Sequence, residues 1–112
     1  MQNNNFDFIL IGGGCASLSL ALNIRKLSIN DYIFLILESK KAYNDDRSWC
    51  FWEKHDSDYK NIAEKSWNKW SFTFKNKSIT HKNDIYEYYY VRSISFYKKA
   101  LKEINQSENI NI

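Results

Sequence analysis

Three consecutive glycines, Gly12-Gly13-Gly14, separate an apolar run from an amphipathic stretch, and no other feature of the chain limits its fold as strongly. Upstream, Phe6-Asp7-Phe8-Ile9-Leu10-Ile11 is rich in strand formers, the pattern of a buried parallel strand. Downstream, from Cys15 to about Leu27, Leu18, Ala21 and Leu22 recur at helical spacing. Arg25 and Lys26 stand near the C-terminal end, where cations complement the helix dipole. Ser28 to Asp31 turn the chain, and Tyr32 to Leu37 make a second apolar strand that ends on Glu38. Strand, crossover helix and strand within about 35 residues form one parallel unit that closes right-handed.

Within that unit Gly12, Gly14 and Ser17 occupy the three glycine positions of a dinucleotide-binding fingerprint. The first permits the tight turn, the second lets a diphosphate approach the backbone, and the third allows close helix–strand packing. Ser17 departs from the pattern by one hydroxymethyl group, which perturbs that packing without blocking it. The candidate cofactor loop is therefore Gly12, Gly13, Gly14, Cys15, Ala16 and Ser17, with the free N–H groups of the helix start facing the diphosphate. Glu38, at the end of the second strand, is placed to accept the ribose hydroxyls of an adenosine moiety and would repel a 2′-phosphate. A glycine triplet alone is only a loop; the flanking strand, helix, second strand and terminal acid favour the dinucleotide reading. Cys15 reads as a small helix residue.

Beyond Glu38 the chain changes character. Ser39 to Glu53 reads as a long loop, polar at first and then dense in aromatics. Tyr59, Ile62, Ala63 and Trp67 predict a short amphipathic helix over 56–67. Trp70, Phe72 and Phe74 alternate with Ser71, Thr73 and Lys75, which predicts a strand, with a turn at Asn76-Lys77 and a partner strand from Ile79. Tyr86 to Val91 reads as extended. Ser95 is positioned to cap a helix reaching Asn105, with Phe96, Ala100, Leu101 and Ile104 on one face. Ile110 to Ile112 opens a further strand.

At 112 residues the chain has room for one small domain. Its organisation reads as a single domain over 1–112, with the β–α–β unit at 6–38 and the aromatic loop, hairpin and helix at 39–112. Because parallel sheets are covered on both faces, two strands and a last strand only begun lead to the expectation of a longer enzyme whose C-terminal remainder is missing. The net charge of +3 is spread along the chain, which argues against a nucleic-acid surface and leaves a weak attraction to anionic lipid. Cys15 and Cys50 show no paired spacing and read as free thiols. His55 and His81 lack partners at ligand spacing, so no metal site is expected. The longest apolar run, Phe6 to Ile11, is too short to cross a bilayer, and Met1 to Asn5 lacks the form of a signal peptide. The chain accordingly reads as cytoplasmic.

The most distinctive segment is Asp45-Asp46-Arg47-Ser48-Trp49-Cys50-Phe51-Trp52-Glu53. Together with Gly12-Gly13-Gly14-Cys15-Ala16-Ser17-Leu18-Ser19-Leu20-Ala21-Leu22 it resembles the lycopene cyclase family, whose members carry a similar glycine loop and a D-R-[ST]-W-C-F-W run. The likeness extends from Phe6 to about Asn105. It implies an α/β chain with a Rossmann-like FAD/NAD(P)-binding fold of the glutathione-reductase type. The function it implies is an FAD-dependent lycopene cyclase that forms β-ionone end groups in carotenoid biosynthesis. Such enzymes protonate a terminal double bond, pass through a carbocation and lose a proton, without net redox change. They use reduced FAD, for which NAD(P)H is a candidate reductant.

Several site expectations follow from that resemblance. Arg47 lies in the loop where related flavoproteins bring polar groups near the diphosphate, or it pairs with Asp45 or Asp46 at the surface. Trp49, Phe51 and Trp52 either line an apolar tunnel, whose aromatic faces favour a cation, or pack as core. The family's proton-handling acids lie beyond Ile112, so the catalytic residues are unassigned and 1–112 alone is expected to be inactive. Lys65, Lys69, Lys75, Lys77 and Lys82 flank the aromatics, either as a solvated face or as a peripheral contact with a substrate-bearing inner membrane. Two other functions share the nucleotide unit: an FAD-dependent oxidoreductase or monooxygenase, and a non-enzymatic nucleotide-binding module. Fold alone does not separate these; the aromatic run favours the cyclase.

Overall fold

The computed structural model describes residues 5–112 and divides them into two compact units. One comprises the chain up to Tyr43 together with Tyr97–Ile112; the other is Asn44–Phe96. The protein is mixed α/β.

The first unit is built on a parallel sheet of β1 (Phe8–Ile11), β2 (Phe34–Leu37) and β8 (Ile110–Asn111), with β2 in the middle. Register pairs Phe8 with Phe34, Ile11 with Leu37, and Phe34 with Ile110. Helix α1 (Cys15–Lys26) links β1 to β2, and helix α2 (Ser93–Asn105) precedes β8. Both connections step across the sheet in the same direction, so right-handed crossover places both helices on one face. Burial agrees. Phe34, Ile36 and Ile110 are buried with Leu18, Ala21 and Ile24 of α1 and with Tyr97, Ala100 and Ile104 of α2, whereas Ile9, Ile11 and Leu37 on the other face are exposed. The α1 core stripe uses Ile24 where Leu22 was expected; Leu22 is half-buried.

Asn109 fastens the sheet edge. Its amide donates to Ile29 O at 2.9 Å and Tyr32 O at 2.8 Å, while its own carbonyl accepts the Phe34 N–H at 2.8 Å. Asn109→Ala removes both side-chain donors and is expected to destabilise the protein by about 1–2 kcal/mol. Urea titration followed by far-UV dichroism measures this.

The second unit holds an antiparallel sheet of β3 (Ser48–Lys54), β7 (Tyr86–Arg92) and β4 (Lys65–Trp67), with β7 central. It also holds a two-stranded ribbon of β5 (Lys69–Phe74) and β6 (Lys77–Lys82). Residues expected to lie within a long loop form β3 instead. Aromatic side chains on both faces of that strand hide the polar–apolar alternation that would signal it.

The helix expected over 56–67 does not form. Ser57 Oγ accepts the Tyr59 N–H at 3.2 Å and starts a single 3₁₀ turn, Asp58–Asn61. The Glu64 N–H then bonds Tyr90 O at 2.9 Å, and Lys65–Trp67 pair with Tyr88–Tyr90. The ladder to β7 outweighs a local helical spacing that covers barely three turns.

The capping role given to Ser95 falls elsewhere as well. Helix α2 starts at Ser93, which is fully buried. The Ser93 hydroxyl donates to Asn44 O at 3.3 Å and Asp45 Oδ1 at 3.4 Å and accepts the Arg47 N–H at 3.1 Å. Asp45 Oδ1 also accepts the Ile94 N–H at 3.4 Å. An acid far upstream thus closes the helix start, a service no local pattern reveals.

Candidate functional site

The glycine loop connects β1 to α1. Gly12 has φ +92°, a conformation that side chains strain to adopt, and its N–H donates to Leu37 O at 2.8 Å. Gly13 is buried and closely packed: a Cβ there would collide with the Tyr43 hydroxyl and lie 3.0 Å from Glu38 Cβ and Oε2. Gly14 is exposed, and Cβ atoms added at Gly12 or Gly14 meet nothing within 4 Å. The loop therefore has one face set against the protein and one open face. Gly14 is the N-cap of α1, no side chain caps the helix, and its first turn carries no acid. Such a helix start has unsatisfied N–H groups and a positive end that suit an anion.

Glu38 reaches the same loop. Its Oε2 accepts the Gly13 N–H at 2.7 Å, and its Oε1 accepts the Lys40 N–H at 2.8 Å and the Ser39 hydroxyl at 3.4 Å. A carboxylate offers about four lone-pair positions, so these three donors leave one for a ligand hydroxyl. The Lys40 N–H first and the Gly13 N–H second hold the Glu38 carboxyl below the usual carboxylate range. The charged form is thus favoured in the fold; its contribution is present at neutral pH and is lost as pH falls through that lowered value.

Tyr43 completes the loop's support. Its hydroxyl donates to Gly13 O at 2.8 Å, and its ring lies 4.7 Å from that of Tyr97. Burial pushes the Tyr43 phenol up. Sequence reasoning missed this residue because its partner is 30 positions away. Ser17 is half-buried in α1, and Cys15 lies 3.8 Å from the Ser19 hydroxyl through its sulfur, with both cysteines free.

The structure brings the predicted residues Gly12 to Ser17 and Glu38 together in the first unit and places Arg47 in the second. There the Arg47 guanidinium Nε is 3.7 Å from Asp46 Oδ2 and its side chain is 63% exposed. Its main chain clasps α2, accepting the Ser93 N–H at 2.9 Å. Beside it, Arg92 Nε donates to Asp45 Oδ2 at 2.8 Å and Nη2 engages the same oxygen, which holds the Asp45 carboxyl below its ordinary value.

The aromatic run divides between the faces of β3. Trp49 and Phe51 face Val91 and Tyr89 across the ladder. Trp49 packs edge-on to Phe96 at 5.4 Å, and Phe51 packs on Tyr59 at 5.1 Å. Trp52 points to the opposite face, 4.3 Å from Trp70 and 4.7 Å from Tyr88 between ring centroids. With Trp67 and Phe72 these rings line a groove of about 590 Å³. Among the described residues no cluster of His, Cys, Asp and Glu could hold a metal ion, and no helix is long and apolar enough to cross a membrane.

A parallel β–α–β unit with an open glycine turn and a carboxylate beside it, joined to an aromatic antiparallel sheet, defines an α/β protein with a candidate anion- and ribose-binding loop. The chain belongs to the lycopene cyclase family: residues 7–111 match the family model described as lycopene cyclase protein. No curated protein and no solved structure matches it. Membership carries a carotenoid cyclase role and, in general terms, a carotenoid substrate.

Proposed function

We propose that this protein is an FAD-dependent lycopene cyclase with a Rossmann-like nucleotide unit, working at the cytoplasmic side of a membrane. The observation that carries the proposal is the open face of the glycine loop on a chain of this family. Gly12 and Gly14 leave space where side chains would stand, beside an uncapped helix start. That cradle fits a diphosphate, and the remaining lone pair of Glu38 fits one ribose hydroxyl. Reduced flavin, when bound, would supply an electron-rich surface that stabilises positive charge on the reacting hydrocarbon.

This chain's own part is to bind and to orient. The α1 start and the loop hold the diphosphate, Glu38 orients the ribose, and the groove, lined also by Lys69 and Ser71, offers the π faces of its aromatic rings to a polyene end group. A carbocation beside such faces is stabilised by the negative potential of the rings. Ring closure then needs one proton added to a terminal double bond and one lost from a neighbouring carbon, which leaves the redox state unchanged.

Glu38→Ala should weaken FAD binding about ten- to hundredfold, the loss of a charge-assisted hydrogen bond. Fluorescence titration measures the dissociation constant, and a melt without flavin separates this from loosening of the loop. An unchanged constant would remove Glu38 from the site. The reaction class is tested with lycopene in heavy water, using the protein as the cell makes it. One deuterium per new ring without stoichiometric consumption of NAD(P)H is expected; stoichiometric consumption would replace the cyclase by an oxidoreductase.

A further inference from the structure

The β5–β6 ribbon has two unlike faces. One carries the register pairs Trp70–His81, Phe72–Ile79 and Phe74–Lys77. The other carries Lys69–Lys82 and two hydroxyl pairs, Ser71–Thr80 at 2.7 Å and Thr73–Ser78 at 3.0 Å. On this face the hydroxyl pairs bond each other, and Lys82 Nζ lies 3.7 Å from Asp84 Oδ1. The apolar face is not covered: Phe72 is 69% exposed, Phe74 75% and Ile79 72%. Large apolar side chains grouped at such exposure mark an interaction surface.

The charge of this segment is as uneven as its polarity. Residues 69–82 contain Lys69, Lys75, Lys77 and Lys82 and no Asp or Glu, a formal charge of +4. The whole chain carries +3, so everything outside the ribbon sums to −1. The lysines stand at the two ends of the ribbon, Lys69 and Lys82 at the base, Lys75 and Lys77 at the turn. With Lys82 paired to Asp84, the cations beside the apolar patch are Lys75 and Lys77 at the turn and Lys69 at the base.

We propose that the β5–β6 ribbon docks this protein on an anionic lipid bilayer, lying flat with Phe72, Phe74 and Ile79 in the acyl boundary and its lysines among the headgroups. The inference rests on the membrane-surface reading given under the proposed function and names the element that makes the contact. Six residues per strand span about 20 Å, too short for a hydrocarbon core of about 30 Å, so the ribbon lies in the interface. Tryptophan is favoured at that depth, and long lysine side chains extend toward the headgroups. Trp70 and Phe72 belong both to the apolar face and to the groove they line with Trp52, Trp67 and Tyr88. A hydrocarbon dissolved in the bilayer thus meets a continuous apolar strip on its way into the groove.

The test is flotation of the full chain with vesicles of phosphatidylcholine, with and without about one third phosphatidylglycerol, at low and high salt. Binding to the anionic vesicles, weakened by salt, is expected. Lys75→Ser with Lys77→Ser should weaken it about 30-fold, from roughly a factor of five for each cation at the surface. Phe72→Ser, Phe74→Ser and Ile79→Ser together should reduce it at least as much while preserving the far-UV spectrum. Bromine-labelled acyl chains should quench tryptophan emission in the parent chain and not in this triple variant. Vesicle binding that both variants retain would overturn the assignment to the ribbon alone. No vesicle binding by the parent would overturn the membrane-surface reading with it. A stable dimer that the triple variant dissolves, without vesicle binding, would assign the face to a second copy and equally defeat the proposal.

Discussion

Gly14→Val is expected to give a folded protein that purifies without flavin. Gly14 has φ −80° and ψ −170°, an extended conformation that a β-branched residue adopts readily. A Cβ there meets no atom within 4 Å, so the fold accepts the side chain at a cost of about 1 kcal/mol for a poorer N-cap. The isopropyl group instead fills the space proposed for the diphosphate. Gly13→Val is the contrasting variant. Its side chain would be driven into the Tyr43 hydroxyl and the Glu38 side chain, displacing the groups that hold the loop, so fold and flavin should be lost together. Flavin absorbance and far-UV dichroism on the two purified variants check both statements. A Gly14→Val protein that keeps its flavin would remove the loop from the cofactor site.

Tyr89→Ala should unfold the second unit at moderate denaturant. Tyr89 is fully buried on the central strand β7, pairs with Phe51 and Ser66 on either side, and lies 6.1 Å from the Phe51 ring. Removing a buried aromatic ring costs about 3–5 kcal/mol, a large part of the 5–15 kcal/mol that typically holds a domain. Tyr89→Phe keeps the ring and loses only the hydroxyl's hydrogen bond to Lys54 O at 3.1 Å, with an expected cost of about 1 kcal/mol. Urea unfolding followed by tryptophan emission separates the two. Equal losses would show that the hydroxyl, and not the packed ring, holds the sheet.

The contrast between Gly13 and Gly14 also marks how far the sequence carries. The fingerprint identified Gly14 as one of its glycine positions and Gly13 as the loop residue before it, because strand, turn and helix signals are local. Which of the two touches the protein and which stays open depends on Tyr43 and Glu38 arriving from 30 and 25 positions away. Glu38 was legible as a carboxylate at a strand end; that it already accepts the Gly13 N–H, with room for only one more donor at Oε2, was not.

What the sequence determined by itself is the parallel β–α–β unit, the β5–β6 ribbon, the extended β7 and the family. Each rests on periodicity, turn residues or a contiguous motif, all properties of neighbouring residues. What only the tertiary structure decided is every feature that depends on a distant partner. Residues 56–67 have helical spacing, yet β7 offers Lys65–Trp67 a ladder, and backbone pairing to a central strand outweighs a short isolated helix. The start of α2 was set by Asp45 and Arg47 closing on Ser93. The aromatic run, uniform as a sequence, was divided by the pleat of β3, which sends Trp49 and Phe51 into packing and Trp52 to the groove. Alternation fixes that neighbouring residues point apart; only the placement of β7 and Trp70 fixes what each of them meets.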